Sequence, residues 1–218
     1  MTTDALDWTE EGTPVSRRFD DPYFSLASGL EETRHVFFGG NDLPARLRAG
    51  FRIAELGFGT GLNLLALNAL RGDLPLRFTS FEAFPLTRED AGRALAAFPD
   101  LDAAPLLAAW DRLGQGAVEV WPGLEVDLIL GDARQTLPAW DGLADAWFLD
   151  GFSPAKNPEL WGAELLEAVA AHTAPGGTLA TYTAAGHVRR ALEAAGLAVE
   201  RRSGYGRKRH MTAARKPD

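Results

Sequence analysis

Four polar stations recur where an apolar run of the chain stops. Ile53-Ala54 leads into Glu55-Leu56-Gly57-Phe58-Gly59-Thr60-Gly61, and Leu76-Arg77-Phe78-Thr79-Ser80-Phe81 delivers Glu82. Val126-Asp127-Leu128-Ile129-Leu130 ends in Gly131-Asp132-Ala133, and Ala144-Asp145-Ala146-Trp147-Phe148-Leu149 enters Asp150-Gly151-Phe152-Ser153-Pro154-Ala155-Lys156-Asn157-Pro158. Alternating glycines supply positive φ and remove the Cβ atoms that would keep a flat ligand off the backbone. A carboxylate at a strand end accepts hydrogen bonds from paired hydroxyls, as Glu82 could, or from an exocyclic amino group, as Asp132 could. An Asp followed by a glycine and two prolines is a held acceptor, able to orient an attacking nitrogen through its side chain and neighbouring carbonyls. Taken one at a time, each carboxylate also reads as a surface or capping residue, and the glycine run as a tight turn without a ligand.

The glycine spacing selects the ligand. A dinucleotide fingerprint needs Gly-x-Gly-x-x-Gly, which would put its third glycine at position 62, and Leu62 stands there. The glycines fall instead at 57, 59 and 61, with Glu55 two residues ahead of the first. That is the form used by S-adenosylmethionine (SAM) methyltransferases, which have no pyrophosphate to cradle. Glu82 would then take the ribose hydroxyls and Asp132 the adenine amino group.

These stations need strands that end at one edge. Apolar runs of strand length alternate with stretches of helical spacing at Leu62–Leu67, Thr87–Phe98, Ala103–Leu113, Leu160–His172 and His187–Ala195. Pro175-Gly176-Gly177 reads as a turn before a fifth strand over Thr178–Thr183, and residues 197–202 and 210–214 as an antiparallel pair. The expected fold is α/β: a Rossmann-like SAM-dependent methyltransferase fold, with a doubly wound, mostly parallel sheet and a C-terminal antiparallel strand. Residues 1–48 read as an N-terminal arm and cover over the ligand edge, and 49–218 as the methyltransferase domain. Within the arm, residues 1–15 look irregular with Trp8 as anchor, and Asn41-Asp42-Leu43-Pro44 as a cap before a short basic helix through Arg48. Tyr23 and Phe24 are candidates to stack on a base, burial under the arm being the alternative.

The chain of 218 residues suits one sizeable domain. It has no cysteine, which excludes disulfides, thiolate zinc sites and cysteine nucleophiles. No metal is expected. Neither a secretory h-region nor a membrane-length apolar run is present, so a cytoplasmic protein with no membrane partner is expected. The net charge of −8 argues against a polyanionic partner, but its distribution does not. From His187 onward nine Arg/Lys stand against three carboxylates, the footprint of a local basic face; a solvated tail is the alternative.

Five stretches carry a resemblance: Phe19-Asp20-Asp21-Pro22-Tyr23-Phe24-Ser25, Gly29-Leu30-Glu31-Glu32-Thr33, Glu55 through Asn63, Asp150 through Pro158 with Glu159-Leu160-Trp161, and Gly204-Tyr205-Gly206-Arg207-Lys208-Arg209. Together they resemble the methyltransferase domain of the MnmC family, bifunctional enzymes of 5-methylaminomethyl-2-thiouridine synthesis at the tRNA wobble position. The resemblance implies methyl transfer from SAM to the primary amine of 5-aminomethyl-2-thiouridine. It implies cofactor contacts from Glu55, Gly57, Gly59, Gly61, Asn63, Glu82, Asp132, Ala133 and Asp150, and catalytic roles for Asp150, Phe152, Ser153 and Pro154. Contacts to tRNA near the anticodon wobble position would come from Tyr23, Phe24, Lys156, Arg207, Lys208 and Arg209. The family's C-terminal FAD-dependent oxidase domain is not in this sequence, so the expectation is a stand-alone methyltransferase whose amine comes from a separate enzyme. The rivals are a SAM methyltransferase of another amine and a non-catalytic tRNA-binding module.

Overall fold

The structure is a computed structural model and describes residues 3–25 and 28–218, so residues 1, 2, 26 and 27 of the expected arm lie outside the described residues. Its centre is an eight-stranded sheet. Five parallel strands form the middle: β4 (Phe51–Leu56), β5 (Leu76–Glu82), β7 (Leu124–Leu130), β8 (Ala144–Leu149) and β9 (Thr173–Thr181). The sheet order is β10-β11-β9-β8-β4-β5-β7-β6, with β10 (Ala198–Ser203) and β11 (His210–Arg215) antiparallel at one edge and β6 (Val118–Trp121) antiparallel at the other. This is the expected doubly wound α/β fold with its antiparallel C-terminal pair.

Side chains alternate across the strands and so build two cores. Phe51, Ile53, Phe78 and Phe148 face α2 (Leu62–Arg71) and α4 (Ala104–Ala109), packing with Leu64, Leu65, Leu67 and Leu106. Leu56, Phe81, Trp147 and Leu149 face the other way, onto α6 (Ala163–Ala171) and α7 (Gly186–Ala194), against Leu165, Leu166, Val188 and Leu192. Two further helices follow β5 and β7, α3 (Arg88–Leu95) and α5 (Ala133–Thr136). Among the described residues no helix is long and apolar enough to cross a membrane.

Four local expectations are corrected. Over residues 3–15 the arm is not irregular: β1 (Leu6–Trp8), β2 (Pro14–Ser16) and β3 (Asp21–Pro22) pair into a small antiparallel sheet. Trp8 is covered there by the Arg93 guanidinium, 3.9 Å from its ring centroid. The basic helix through Arg48 does not form. The helix comes earlier, as α1 (Gly29–Thr33), capped by Ser28 and continued by a π-helical segment over Arg34–Gly39. Asn41 closes that segment, because its fully buried amide donates to the Phe37 and Trp147 carbonyls and is spent on ending a helix. Strand β6 was not expected at all; Gly123, at φ 76°, turns it back onto β7. The Pro175-Gly176-Gly177 turn falls within β9, where the pairing with β8 shifts register between Ala144 and Ala146.

Candidate active site

A cavity of about 580 Å³ opens at the C-terminal edge of the parallel strands. Its floor is the turn from β4 into α2. Gly57 (φ 88°) passes so close to the loop after β8 that a Cβ there would stand 2.1 Å from the Asp150 carbonyl oxygen. Gly61 (φ 79°) opens α2 in a left-handed conformation and does not line the cavity. Its role is to start the helix, a position where a side chain would be strained.

The carboxylates sort into different environments. At the end of β5, Glu82 accepts the Gly59 N–H on Oε2 at 3.0 Å and the Phe84 N–H on Oε1 at 2.8 Å, which fixes its orientation while it lines the cavity. Burial pushes its carboxyl up, against the backbone donors that pull it down. Asp132 also lines the cavity, but as a capping residue: it accepts the Arg134 N–H at 2.9 Å and forms an ion pair with the Arg134 guanidinium, which holds its carboxyl below the usual range. Ala133 lines the wall beside it.

Glu55 does not reach the cavity, and this corrects its expected cofactor contact. It is 1% exposed, accepting from Asn63 Nδ2 at 2.9 Å and from Ser80 Oγ at 2.7 Å. Asn63 does reach the cavity, and its amide is fully used. Its second N–H donates to Asp150 Oδ2 at 2.6 Å, and its carbonyl accepts from Thr33 Oγ1 at 2.7 Å. The sequence is therefore a brace, Ser80–Glu55–Asn63–Asp150, running from the core to the cavity wall.

Burial pushes the Glu55 carboxyl up to about 8, beyond the pull of its two hydrogen bonds. A carboxyl raised in the folded state binds more protons folded than unfolded, so its stabilisation is complete below its unfolded value near 4.5 and is lost as pH rises through about 8. Glu55→Gln, which stays neutral, is expected to flatten the fall in stability across that window and to raise stability at the alkaline end by on the order of a few kcal/mol. Urea denaturation at several pH values checks this; an unchanged slope would show that Glu55 is not a desolvated carboxyl.

The loop from Asp150 is pinned residue by residue. The Asp150 N–H donates to the Leu56 carbonyl at 3.0 Å, and the Gly151 carbonyl accepts from Tyr182 Oη at 2.6 Å. Trp161 Nε1 donates to the Phe152 carbonyl at 2.8 Å, and the Ser153 N–H donates to Asp21 Oδ2 at 2.8 Å. Burial pushes Asp150 itself up to about 7; the Asn63 hydrogen bond and the Lys208 charge oppose this, and the Glu32 charge adds to it.

Asp150, Phe152 and Ser153 line the cavity, whereas Pro154 lies outside it. Phe152 stacks on Phe19 at 4.7 Å and meets the Tyr23 edge at 5.0 Å. Tyr23 and Phe24 both line the cavity, yet each is engaged, Tyr23 donating to Asp4 at 2.7 Å and Phe24 packing edge-on against Phe98. The basic candidates separate. Lys208 lines the cavity, while Lys156, Arg207 and Arg209 are exposed outside it, Lys156 paired to Asp20.

The basic C-terminal face is less of a tail than its composition suggests. Lys216 donates to the Ala170 and Thr173 carbonyls at the end of α6, Arg202 pairs with Glu200 and Asp42, and Arg215 with Asp42. Several wall residues were missed from sequence: Phe19, Glu32, Phe58, Phe84 and Tyr182. Tyr182 was within reach, since it follows β9 directly and so occupies another strand end at the same edge. Glu32 sits on α1, whose five residues are too few to show a helical period.

Residues 103–217 match the family described as S-adenosyl-L-methionine-dependent methyltransferase. A relative from Caulobacter sp. (strain K31), named tRNA 5-methylaminomethyl-2-thiouridine biosynthesis bifunctional protein MnmC, is 48% identical over 99% of this chain and 39% of its own length. A protein of the same name from Ectopseudomonas mendocina is 50% identical over 95% of this chain and 34% of its own. The chain thus spans about two fifths or less of these relatives. The crystal structure of MNMC2 from Aquifex aeolicus superposes with a TM-score of 0.73 at 28% identity, covering 100% of this chain and 73% of that one.

Proposed function

The chain belongs to the S-adenosyl-L-methionine-dependent methyltransferases, and from that membership we propose that it methylates the primary amine of 5-aminomethyl-2-thiouridine at the tRNA wobble position, giving 5-methylaminomethyl-2-thiouridine. The observation that carries this reading is the braced Asp150 beside the glycine turn, in a cavity walled by aromatic rings. Two relatives of nearly 50% identity named for that modification support it.

The residues present fit SAM. Gly59 (φ 53°) leaves the backbone bare beside Tyr23, where a Cβ would come within 3.1 Å of the ring. Glu82 offers a fixed carboxylate for the ribose hydroxyls, and Asp132 offers a weaker acceptor because Arg134 already engages it. The cofactor supplies a methyl group on a sulfonium. The rest of the work falls to the chain. Asn63 holds one oxygen of Asp150 and leaves Oδ1 to orient the amine and take its proton. Phe19, Phe152 and Tyr182 wall the cavity against water. Residues 1–48 act as the cover on this reading, since Asp21 anchors the Asp150 loop and Phe19 stacks on it. The aminomethyl group arrives already made on the tRNA.

Incubation with SAM and tRNA bearing 5-aminomethyl-2-thiouridine, followed by nucleoside mass spectrometry, tests the reading. The expected product is the nucleoside heavier by one CH2. Methylation of other alkylamines with that tRNA untouched would move the enzyme to another amine substrate, and tRNA binding without turnover on any amine would leave a binding module.

The exposed cations Arg207 and Arg209 near the β10–β11 turn support a contact with the tRNA body there. Arg207→Ala with Arg209→Ala is expected to lower tRNA affinity and to flatten the salt dependence by about one to two units of slope, each phosphate contact contributing a little under one. SAM affinity should stay as it was. Titrations at several salt concentrations check this, and an unaltered slope would put the RNA on another face.

A further inference from the structure

A primary alkylammonium already sits in the cavity, and it belongs to the chain. Lys208 reaches from the turn between β10 and β11 to α1, where Nζ donates to Glu32 Oε1 at 2.6 Å. The same nitrogen lies 4.0 Å from the centroid of the Tyr182 ring. Glu32, Tyr182 and Lys208 line the wall that also carries Asp150, and the Asp150 carboxyl feels the charges of both Glu32 and Lys208. A carboxylate joined to the face of an aromatic ring is a general recognition motif for alkylammonium ions. Tyr182 is held in place for it by the hydrogen bond from its hydroxyl to the Gly151 carbonyl.

We propose that Glu32 and Tyr182 form the subsite for the substrate's aminomethyl group, and that Lys208 is a placeholder that withdraws when that group arrives. The assignment rests on the amine reading above and names the residues that would receive the amine.

Two features separate a placeholder from an ordinary ion pair. The Glu32 side chain is only 12% exposed, whereas that of Lys208 is 44% exposed. The carboxylate is thus part of the wall, and the lysine is a visitor from the solvent side. Emptying such a carboxylate of its cation is costly, but exchanging one ammonium for another leaves it paired throughout. Discrimination follows from the same exchange: a ligand without a positive charge would have to displace Lys208 and leave Glu32 unpaired.

The test uses n-butylammonium chloride as the probe, with sodium chloride at equal concentration as the control, and calorimetry on the full chain. Lys208→Met keeps the apolar stem against Tyr182 and removes the charge. It is expected to bind the probe saturably and at least tenfold more tightly than the wild type. Adding Glu32→Gln should abolish that gain. Thermal melts establish that each variant is folded, and Lys208→Ala replaces Lys208→Met if the latter is not. No gain in the folded lysine variant, or a gain that survives Glu32→Gln, overturns the assignment. With amine-bearing tRNA, Glu32→Gln should raise KM for tRNA at least tenfold and leave SAM affinity unchanged; an unchanged KM also overturns it. A gain in probe binding with no methylation of that tRNA would keep the alkylammonium subsite and remove the tRNA reading. Methylation without any gain would do the reverse.

Discussion

Asp150→Ala is expected to slow methyl transfer to the amine by about a thousandfold, and Asp150→Asn by roughly ten- to a hundredfold. An alkylamine with pKa about 10.4 is neutral only about once in a few thousand molecules at pH 7, a barrier of roughly 4 to 5 kcal/mol. Something must therefore hold the amine and receive its proton. Burial pushes Asp150 up to about 7, so its carboxylate meets a proton on less unequal terms than an exposed aspartate would. Asn63 occupies Oδ2 and leaves Oδ1 for the amine. Asparagine at 150 keeps an acceptor for orientation, but its one oxygen must serve both Asn63 and the amine, and it takes no proton. Alanine supplies neither function and also strips Asn63 of one of its acceptors. The sign with pH follows from the ionised form being the active one: the wild-type rate should fall as pH drops through about 7, and Asp150→Asn should lose that limb. Single-turnover transfer at saturating tRNA and SAM reads both effects, with SAM affinity near normal by calorimetry. Equal, near-wild-type rates for the two variants would take Asp150 out of the chemistry.

What the sequence made legible is what local spacing controls. Gly57, Gly59, Glu82, Asp132 and Asp150 all follow apolar runs, and a parallel sheet brings such positions to one edge regardless of how the strands are ordered. Glu55 shows where spacing stops helping. It stands two residues before the first glycine, but its face is decided by Ser80 on the neighbouring strand and Asn63 on the following helix, and these turn it into the core. The basic run Arg207-Lys208-Arg209 reads as one patch. The fold divides it, because the hairpin turn aims Lys208 inward at Glu32, 176 positions away, and leaves its neighbours in solvent. Strands β1, β2 and β3, two or three residues each, are too short to show a period, and Asn41 looks like a cap until the carbonyls it serves are seen. Glu55, Asn41 and Lys208 each answer to a partner distant in sequence, which periodicity does not encode.

Glu82→Ala is expected to weaken SAM about a hundredfold, because two hydrogen bonds from the ribose to a charged acceptor, at the low end of about 1.5 kcal/mol net each, sum to about 3 kcal/mol. The fold adds a second loss. Both Glu82 oxygens already accept backbone N–H groups, one from Gly59 in the glycine turn and one from Phe84 in the segment after β5, so alanine leaves two donors without their acceptor and loosens the turn that cradles the ligand. For the same reason Glu82→Gln should not rescue binding. Its single oxygen can satisfy one of the two N–H groups, while its amide NH2 confronts the other, and a loss of about tenfold or more is expected. The ligand's share is separable from the turn's share by comparing S-adenosylhomocysteine with its 2′-deoxy analogue. Wild-type protein should bind the deoxy compound about tenfold more weakly, whereas Glu82→Ala should bind the two alike, since the acceptor for that hydroxyl is gone. Burial raises the Glu82 carboxyl, so wild-type affinity should also decline on acidification as the carboxylate takes up a proton, a decline that Glu82→Gln would not share. Calorimetry with both ligands across pH decides the matter: an unchanged constant in Glu82→Ala, or a deoxy penalty that persists in that variant, would remove Glu82 from the ribose site and leave it as a brace for the glycine turn alone.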